Sequence, residues 1–318
     1  MKGIKFTVAL MLAVLTFITL VAVGQSSPKE VNLVFSYFTG NGEDGLHLAY
    51  SHDGYTWTAL NEGKSFLTPT AGKDKLMRDP SILQGPDGTF HMVWTVSWGE
   101  RGIGYAHSTD LIHWSEQQYV PVMEHESETK NTWAPELFYD HRQKEFLIFW
   151  ASTIPGRFEK GNEQKYNHRI YYTSTKDFKK FTATRLFYDH NFSVIDAAIS
   201  KAGKQYIMFL KDETDKPFTP EKNIRIATAK KAKGPYTAPS KPITGDYWAE
   251  GPTPIKVNDK WFIYFDKYTK HKYGVVTSTD LKDWTDESDK LTMPSGIRHG
   301  TAFFVSDEVL NTLKTYHE

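Results

Sequence analysis

The sequence predicts an all-β protein, a single five-bladed β-propeller. Three observations predict it: a turn motif repeated along the chain, a repeat of strand pairs interleaved with it, and a high aromatic content. Aromatics make up 14% of the 318 residues, and bulky rings favour pleated, half-buried surfaces. The turn motif is a short strand, a Ser/Thr-x-Asp-type turn and an aromatic. It occurs at residues 49–58 (AYSHDGYTWT), 106–115 (AHSTDLIHWS) and 276–285 (VTSTDLKDWT), with weaker copies at 172–182 (YTSTKDFKKFT) and 227–237 (ATAKKAKGPYT). The marker aromatics Trp57, Trp114, Phe181, Tyr236 and Trp284 are spaced by 57, 67, 55 and 48 residues, a unit that holds about four strands. Ser, Thr and Asp side chains bond back to their own backbone in such turns, and the aromatic is expected to pack between units.

The strand pairs come next. They are 79–84 with 89–96, 134–139 with 145–152, 196–200 with 205–210, and 251–257 with 261–268. Phe90, Met92, Trp94 and Val96 alternate with period two, and turns such as Asp87-Gly88 and Asn258-Asp259 separate strands as hairpins require. The fifth unit is split, with residues 299–305 (HGTAFFV) at one end of the chain and 31–38 (VNLVFSYF) at the other. Pairing the ends in one blade closes the ring and removes open sheet edges. Ser306 with Asp307 and Glu308 is expected to cap a short helix at 309–314.

Residues 1–24 read as a secretory signal: Lys2 and Lys5, an apolar run from 6 to 23, then Ala22 and Gly24 at the −3 and −1 positions before polar Gln25-Ser26-Ser27. An uncleaved anchor is the alternative, since the run is nearly long enough to span a bilayer, but the small-residue site favours cleavage. One domain, residues 25–318, then remains, with 294 residues to build a core. The chain has no cysteine, which removes disulfides, thiolate metal sites, cysteine nucleophiles and a lipidated N-terminal cysteine. The expected location is periplasmic or secreted. Charges balance at 38 Lys+Arg against 38 Asp+Glu, which argues against nucleic-acid or polybasic membrane-surface binding. A monomer with no membrane association after cleavage is expected.

In a propeller the first strand of every blade lines the central channel, and all run the same way, so their starts gather at one mouth. Those starts are Asp79 in RDPSI, Trp133 to Glu136 in WAPEL, Asp196 in VIDAAI, Glu250 in AEGPTPI and His299 in RHGT. One carboxylate at a strand start is ordinary capping; three of five at one repeat position point to an active site. Hydrolysis of a glycosidic bond needs such a set: a protonated carboxyl for the leaving oxygen, an ionised one to activate water, and a third that raises the acid's pKa by like-charge repulsion. Trp98, Trp133 and Trp248 lie near these starts, as walls for stacking sugars or as inter-blade packing.

RDPSI, WAPEL, VIDAAI, AEGPTPI and RHGT stand in the order and approximate spacing of glycoside hydrolase family 43, which the chain resembles over essentially its whole mature length. The resemblance implies a five-bladed propeller acting on arabinose- and xylose-containing plant polysaccharides. It implies Asp79 as general base, Asp196 as pKa modulator and Glu250 as general acid, in an inverting reaction with base and acid roughly 6.5–9.5 Å apart. His299 resembles the channel histidine that helps hold a hydrated metal, so a structural calcium, reached through water, is the one possible cofactor and none is required. Arg78, Trp98, Trp133, Glu136, Trp248 and His299 are the candidate substrate-binding residues. An exo-acting α-L-arabinofuranosidase is the first expectation, a β-xylosidase or galactosidase the next.

Two departures bear on substrate. About a blade of chain, residues 31–70, precedes Asp79, so Tyr37, Phe38 and the 40–45 loop are placed to shape the mouth. Arg78 stands where a smaller or apolar residue is common; a cation there lowers the pKa of Asp79 and also suits an acidic substrate. Other classes fit less well. A sialidase needs six blades and an arginine cluster, and a fructan-cleaving relative needs a Glu-Cys acid that a chain without cysteine lacks. A non-catalytic sugar-binding propeller has no need of the acidic trio, a scaffold of the WD type would be cytosolic, and no HExxH metal motif is present.

Overall fold

The computed structural model describes residues 30–158, 166–214 and 222–317; the expected signal segment lies outside them. Hairpin turns fold consecutive strands into five antiparallel sheets. Blade 2 is Arg78–Gln84, Phe90–Thr95, Ile103–Ser108 and Gln118–Val120. Blade 3 is Trp133–Asp140, Glu145–Ser152, Arg169–Thr175 and Arg185–Tyr188. Blade 4 is Val194–Ala202, Gln205–Asp212 and Asn223–Ala229. Blade 5 is Glu250–Val257, Lys260–Lys267, Lys272–Ser278 and Thr285–Asp286. Blade 1 closes the ring as expected. Its innermost strand is the C-terminal Thr301–Phe304, paired with Leu33–Tyr37 so that Ser36 faces Thr301, and His47–Ser51 and Thr58–Ala59 follow outward. The five innermost strands each touch the next, and that of blade 5 touches that of blade 1, which makes the five-bladed propeller.

The turn motif works as its chemistry requires. In blade 1 Gly54 N donates to Ser51 Oγ (2.9 Å), while Tyr55 N and Thr56 N donate to Asp53 Oδ1 (both 2.7 Å). Ser108 with Asp110, Thr175 with Asp177, and Ser278 with Asp280 repeat the pattern. The weakest copy, residues 227–237, has neither Ser/Thr-x-Asp residue pair nor a fourth strand after it, so blade 4 has three strands among the described residues rather than four. The marker aromatics do join blades. Trp57 meets Tyr264 of blade 5 edge-on (5.6 Å), Trp284 meets Phe209 of blade 4 (6.3 Å), and Tyr236 meets Phe187 of blade 3 (5.7 Å). Such pairs add about 0.5–1.5 kcal/mol each beyond area burial.

Period-two alternation sorts residues between two neighbours, not between core and solvent. In the second strand of blade 2, Phe90, Met92 and Trp94 pack with blade 1, whereas Val93 packs with blade 3. Blade 3 divides Phe146, Ile148 and Trp150 from Leu147, Phe149 and Ala151 in the same way. The C-terminal helix, Asp307–Thr315, is capped by Ser306, whose hydroxyl accepts from Val309 N, and buries Leu310 and Leu313 in the core of blades 1 and 2.

Candidate active site

Four of the innermost strands start with the same irregularity. The register slips by a bulge after Arg78, Trp133, Ile195 and Glu250, and the next residue is left-handed: Asp79 (φ 53°), Ala134 (φ 46°), Asp196 (φ 51°) and Gly251 (φ 62°). Bulges re-aim side chains, so two successive residues of a strand serve the channel mouth instead of alternating across it. This corrects the expectation of a single repeat position. Asp79 and Asp196 are bulge residues, whereas Glu250 stands one residue earlier. Gly251 is required: a Cβ there would come within 2.5 Å of the His299 ring.

Asp79 is fixed by its neighbours. Thr95, opposite on the second strand, accepts a bond from Ala134 N (2.8 Å), so its single hydroxyl proton is directed to Asp79 Oδ2 (2.9 Å). His299 Nδ1 lies 3.4 Å from Asp79 Oδ1. Burial pushes the Asp79 pKa up, but the His299 bond and charge, then Arg78 and Thr95, outweigh it and hold the carboxyl below its ordinary 3.8. His299 is itself buried, which lowers its pKa, yet the bond to Asp79 and the fields of Asp196, Asp79 and Glu136 carry it up to about 9.

Asp196 accepts from Gly251 N (2.9 Å) and is buried. Burial first, then the charges of Glu250 and Asp79, raise it to about 6 against the pull of His299 and Lys211. Glu250 is placed between two cations: Lys211 Nζ is 2.9 Å from its Oε2 and Arg298 Nη2 is 3.3 Å from its Oε1. Each cation is shared with a further acid, Lys211 with Glu213 (2.6 Å) and Arg298 with Asp266 (2.5 Å). Burial raises the Glu250 pKa, but Lys211 and then Arg298 and His299 bring it below its ordinary value. In the free site Asp196 is the raised group, because the two cations lie against Glu250.

Glu136 is not a rim residue. The bulge sets it further along its strand, buried, where Ser81 Oγ donates to Oε2 (2.7 Å) and His299 Nε2 lies 3.9 Å from Oε1. Burial raises its pKa to about 7. The three tryptophans stand at the rim. Trp98 and Trp133 meet edge-to-face (5.5 Å), with Trp133 Nε1 donating to Trp98 O (3.1 Å), and Trp133 also packs on Tyr166 (5.0 Å) and His168 (5.1 Å). Trp98 is 48% exposed and Trp248 37%, so both keep surface for a ligand, while Trp133 mainly braces its neighbours. The predicted intrusion of the 40–45 loop is found: Asn41 Oδ1 accepts from both Arg78 Nη1 and Trp98 Nε1, each at 3.0 Å.

Sequence reasoning missed Lys211, Arg298, Asp266 and Thr95. Thr95, Lys211 and Asp266 occupy one register position, opposite Arg78, Ile195 and Glu250 on the second strands. A lysine ending the apolar run QYIMFL was the available signal, since a buried charge requires a partner. As to a metal, calcium takes six to eight oxygens. Here His299 is flanked by Asp79 and Glu136, and among the described residues no three His, Asp or Glu side chains are grouped to hold an ion. No step below uses a metal.

The propeller and its convergent carboxylates define a protein of glycoside-hydrolase type. The chain belongs to the family described as "Probable glycosyl hydrolase domain", a relative of glycoside hydrolase family 43, matched over residues 30–310. It is 27% identical over 247 residues to an α-L-arabinofuranosidase of Bifidobacterium longum subsp. longum, covering 65% of this chain and 23% of that protein, so it spans about a quarter of that relative's length. Its fold is similar to that of the α-L-arabinofuranosidase of Lactobacillus brevis (TM-score 0.54, 19% identity, 67% of this chain and 72% of that one). It is also similar to the xylan β-1,4-xylosidase of Bacillus halodurans C-125 (TM-score 0.53, 16% identity, 69% and 42%).

Proposed function

We propose that the protein is an exported, exo-acting glycoside hydrolase that cleaves with inversion. Its favoured terminal sugar is α-L-arabinofuranose, with β-D-xylose second. The observation that supports this reading is the meeting of Asp79, Asp196 and Glu250 around His299 in a chain of this family. The order of sugars follows the names of the relatives.

In this reading Asp79, held ionised by Thr95 and His299, takes a proton from the water that attacks the anomeric carbon. Glu250 gives a proton to the departing oxygen, and Asp196 sets when that proton is present. The free site keeps Glu250 ionised beside Lys211 and Arg298, so the productive form carries one proton on the Asp196–Glu250 pair. Activity then falls as pH rises through about 6, where the pair loses that proton, and falls at acid pH only when Asp79 is protonated, below 3.8.

The test is hydrolysis of nitrophenyl α-L-arabinofuranoside, β-D-xyloside and β-D-galactoside by the chain from residue 25 and by its Asp79→Asn variant, with proton NMR of the first-formed sugar. Release of the β-anomer from the α-arabinofuranoside establishes inversion. Retained configuration, or equal activity in the variant, removes the assignment. Failure on all three, with binding of a polysaccharide and no cleavage of it, would make the protein a carbohydrate-binding propeller; cleavage of the polymer would instead give a hydrolase of a polymeric or branched substrate.

A further inference from the structure

We propose that Arg78 is a recognition site for a carboxylate, so that the natural substrate carries a uronic acid beside the bond that is cleaved. The inference rests on the glycosidase reading for its place in a reaction.

Among the described residues Arg78 makes no ion-pair contact with a carboxylate, although its charge acts on the adjacent Asp79. Arg169, Arg225 and Arg298 each lie against a carboxylate, of Asp189, Asp212 and Asp266 respectively. The bonds of Arg78 among the described residues come from Nη1 alone, to Asn41 O (3.4 Å) and Asn41 Oδ1 (3.0 Å). The adjacent Asp79 is taken by Thr95 and His299, and nearby Glu43 is turned to Asn41, accepting from Nδ2 at 3.0 Å and from N at 3.2 Å. Nε and Nη2 of Arg78, a neighbouring pair of donors, remain. That pair matches the two oxygens of a carboxylate.

The guanidinium is also held in place. Its central carbon lies 4.7 Å from the Phe38 ring centroid and 4.2 Å from that of Trp98, so the guanidinium packs against two aromatics. The loop that supplies Asn41 is pinned to it. Met77 N donates to Gly42 O (2.8 Å), and a side chain at Gly42, whose φ is 88°, would meet Met77 O at 2.7 Å and Arg78 Cγ at 3.0 Å. A fixed fork loses little freedom on binding, which is how such a group contributes to selectivity. Its position fits a substrate contact: Arg78 precedes the bulge in blade 2 as Glu250 does in blade 5, immediately before Asp79. Trp98 remains 48% exposed beside it, giving a ring edge and a cation to one sugar carrying a negative group.

Binding is measured by calorimetry with digalacturonate and with glucuronosyl-xylobiose, each against its carboxyl-reduced neutral form, on the wild-type chain, Arg78→Met and Arg78→Lys. Both variants are first checked for the wild-type melting temperature. We expect at least one acidic form to bind about tenfold more tightly than its reduced form, in a salt-sensitive way. The preference should vanish in Arg78→Met and survive only in part in Arg78→Lys, which keeps the charge but not the fork. Equal affinity for the charged and reduced forms of both probes, or a preference that persists in Arg78→Met, overturns the proposal. Cleavage of neutral aryl glycosides is assayed separately. Cleavage without an acid preference removes the carboxylate site and leaves the hydrolase. An Arg78-dependent preference without cleavage of any substrate removes the hydrolase and leaves the site.

Discussion

Asp79 and Glu250 stand at the starts of the innermost strands of blades 2 and 5, built on the same bulge, yet their surroundings differ in kind. Asp79 has one neutral donor, Thr95, and one buried imidazolium, His299. Glu250 has two permanent cations, Lys211 and Arg298, each tied to a second acid. The difference lies in what the same register position of the second strands supplies: Thr95 of blade 2 bonds Asp79 within its own blade, whereas Glu250 takes Lys211 from blade 4 and meets its own Asp266 through Arg298. One repeat thus builds both sides, and Asp79 is tuned from its own hairpin while Glu250 is tuned from the neighbouring blade. His299 links the sides, since its charge lowers Asp79, Asp196 and Glu250 alike.

The largest effects should separate base from acid. Asp79→Asn should lower kcat/KM by about a thousandfold or more on natural glycosides and nitrophenyl glycosides alike, because every substrate needs the activated water. Glu250→Gln should cost a similar factor on natural glycosides but about tenfold or less with a nitrophenyl leaving group, which departs with little protonation. Equal losses for both variants on both substrates would remove the division of roles.

Lys211→Met tests the acid side alone. Without Lys211 the Glu250 pKa should rise, so the alkaline limb of the kcat/KM profile moves to higher pH, a shift that a purely structural role for Lys211 would not produce. The change also leaves Glu213 and Glu250 short of a buried cation, and a loss of about 3 kcal/mol in unfolding free energy is expected by denaturant titration. Asp196→Asn should move the same limb the other way. The group raised to about 6 is gone, and with its negative charge removed Glu250 falls further under Lys211 and Arg298. A limb left in place in Asp196→Asn would mean that Asp196 does not set the proton on Glu250.

The fold was legible because it repeats. Ser51-x-Asp53, Ser108-x-Asp110 and Ser278-x-Asp280 carry their turn chemistry in side chains that bond to their own backbone, so each copy reads locally. The closure of blade 1 followed from needing a partner for residues 299–305. The acids were legible as well, since Asp79, Asp196 and Glu250 recur at strand starts. Their electrostatics were not. Lys211 is fifteen residues past Asp196 and thirty-nine before Glu250, and only the pairing of Ile195 with Lys211 brings the lysine to the mouth. The bulges were also hidden, because the left-handed conformation of Asp79 and Asp196 falls inside strands whose sequence pattern carries no mark of it. Without them Asp79 and Glu250 seem to share one position. The setting of Arg78 depends on Asn41, thirty-seven residues away in a loop no strand pattern locates.

The smallest predicted effect is the cleanest test of the base side. Thr95→Val keeps the shape of the side chain while removing one bond to Asp79 and the acceptor for Ala134 N. A lost bond to a charged group is worth about 1.5–3 kcal/mol at most, and His299 still holds the other oxygen, so kcat/KM should fall only several-fold. The pH profile is more informative than the size. Thr95 stabilises the ionised form, so its loss raises the Asp79 pKa, and the acid limb of kcat/KM should move to higher pH while the alkaline limb, set by Asp196 and Glu250, stays in place. Movement of the alkaline limb instead would tie Thr95 to the acid. The two sides of the mouth would then titrate as one unit through His299, and the comparison between them would have to be redrawn.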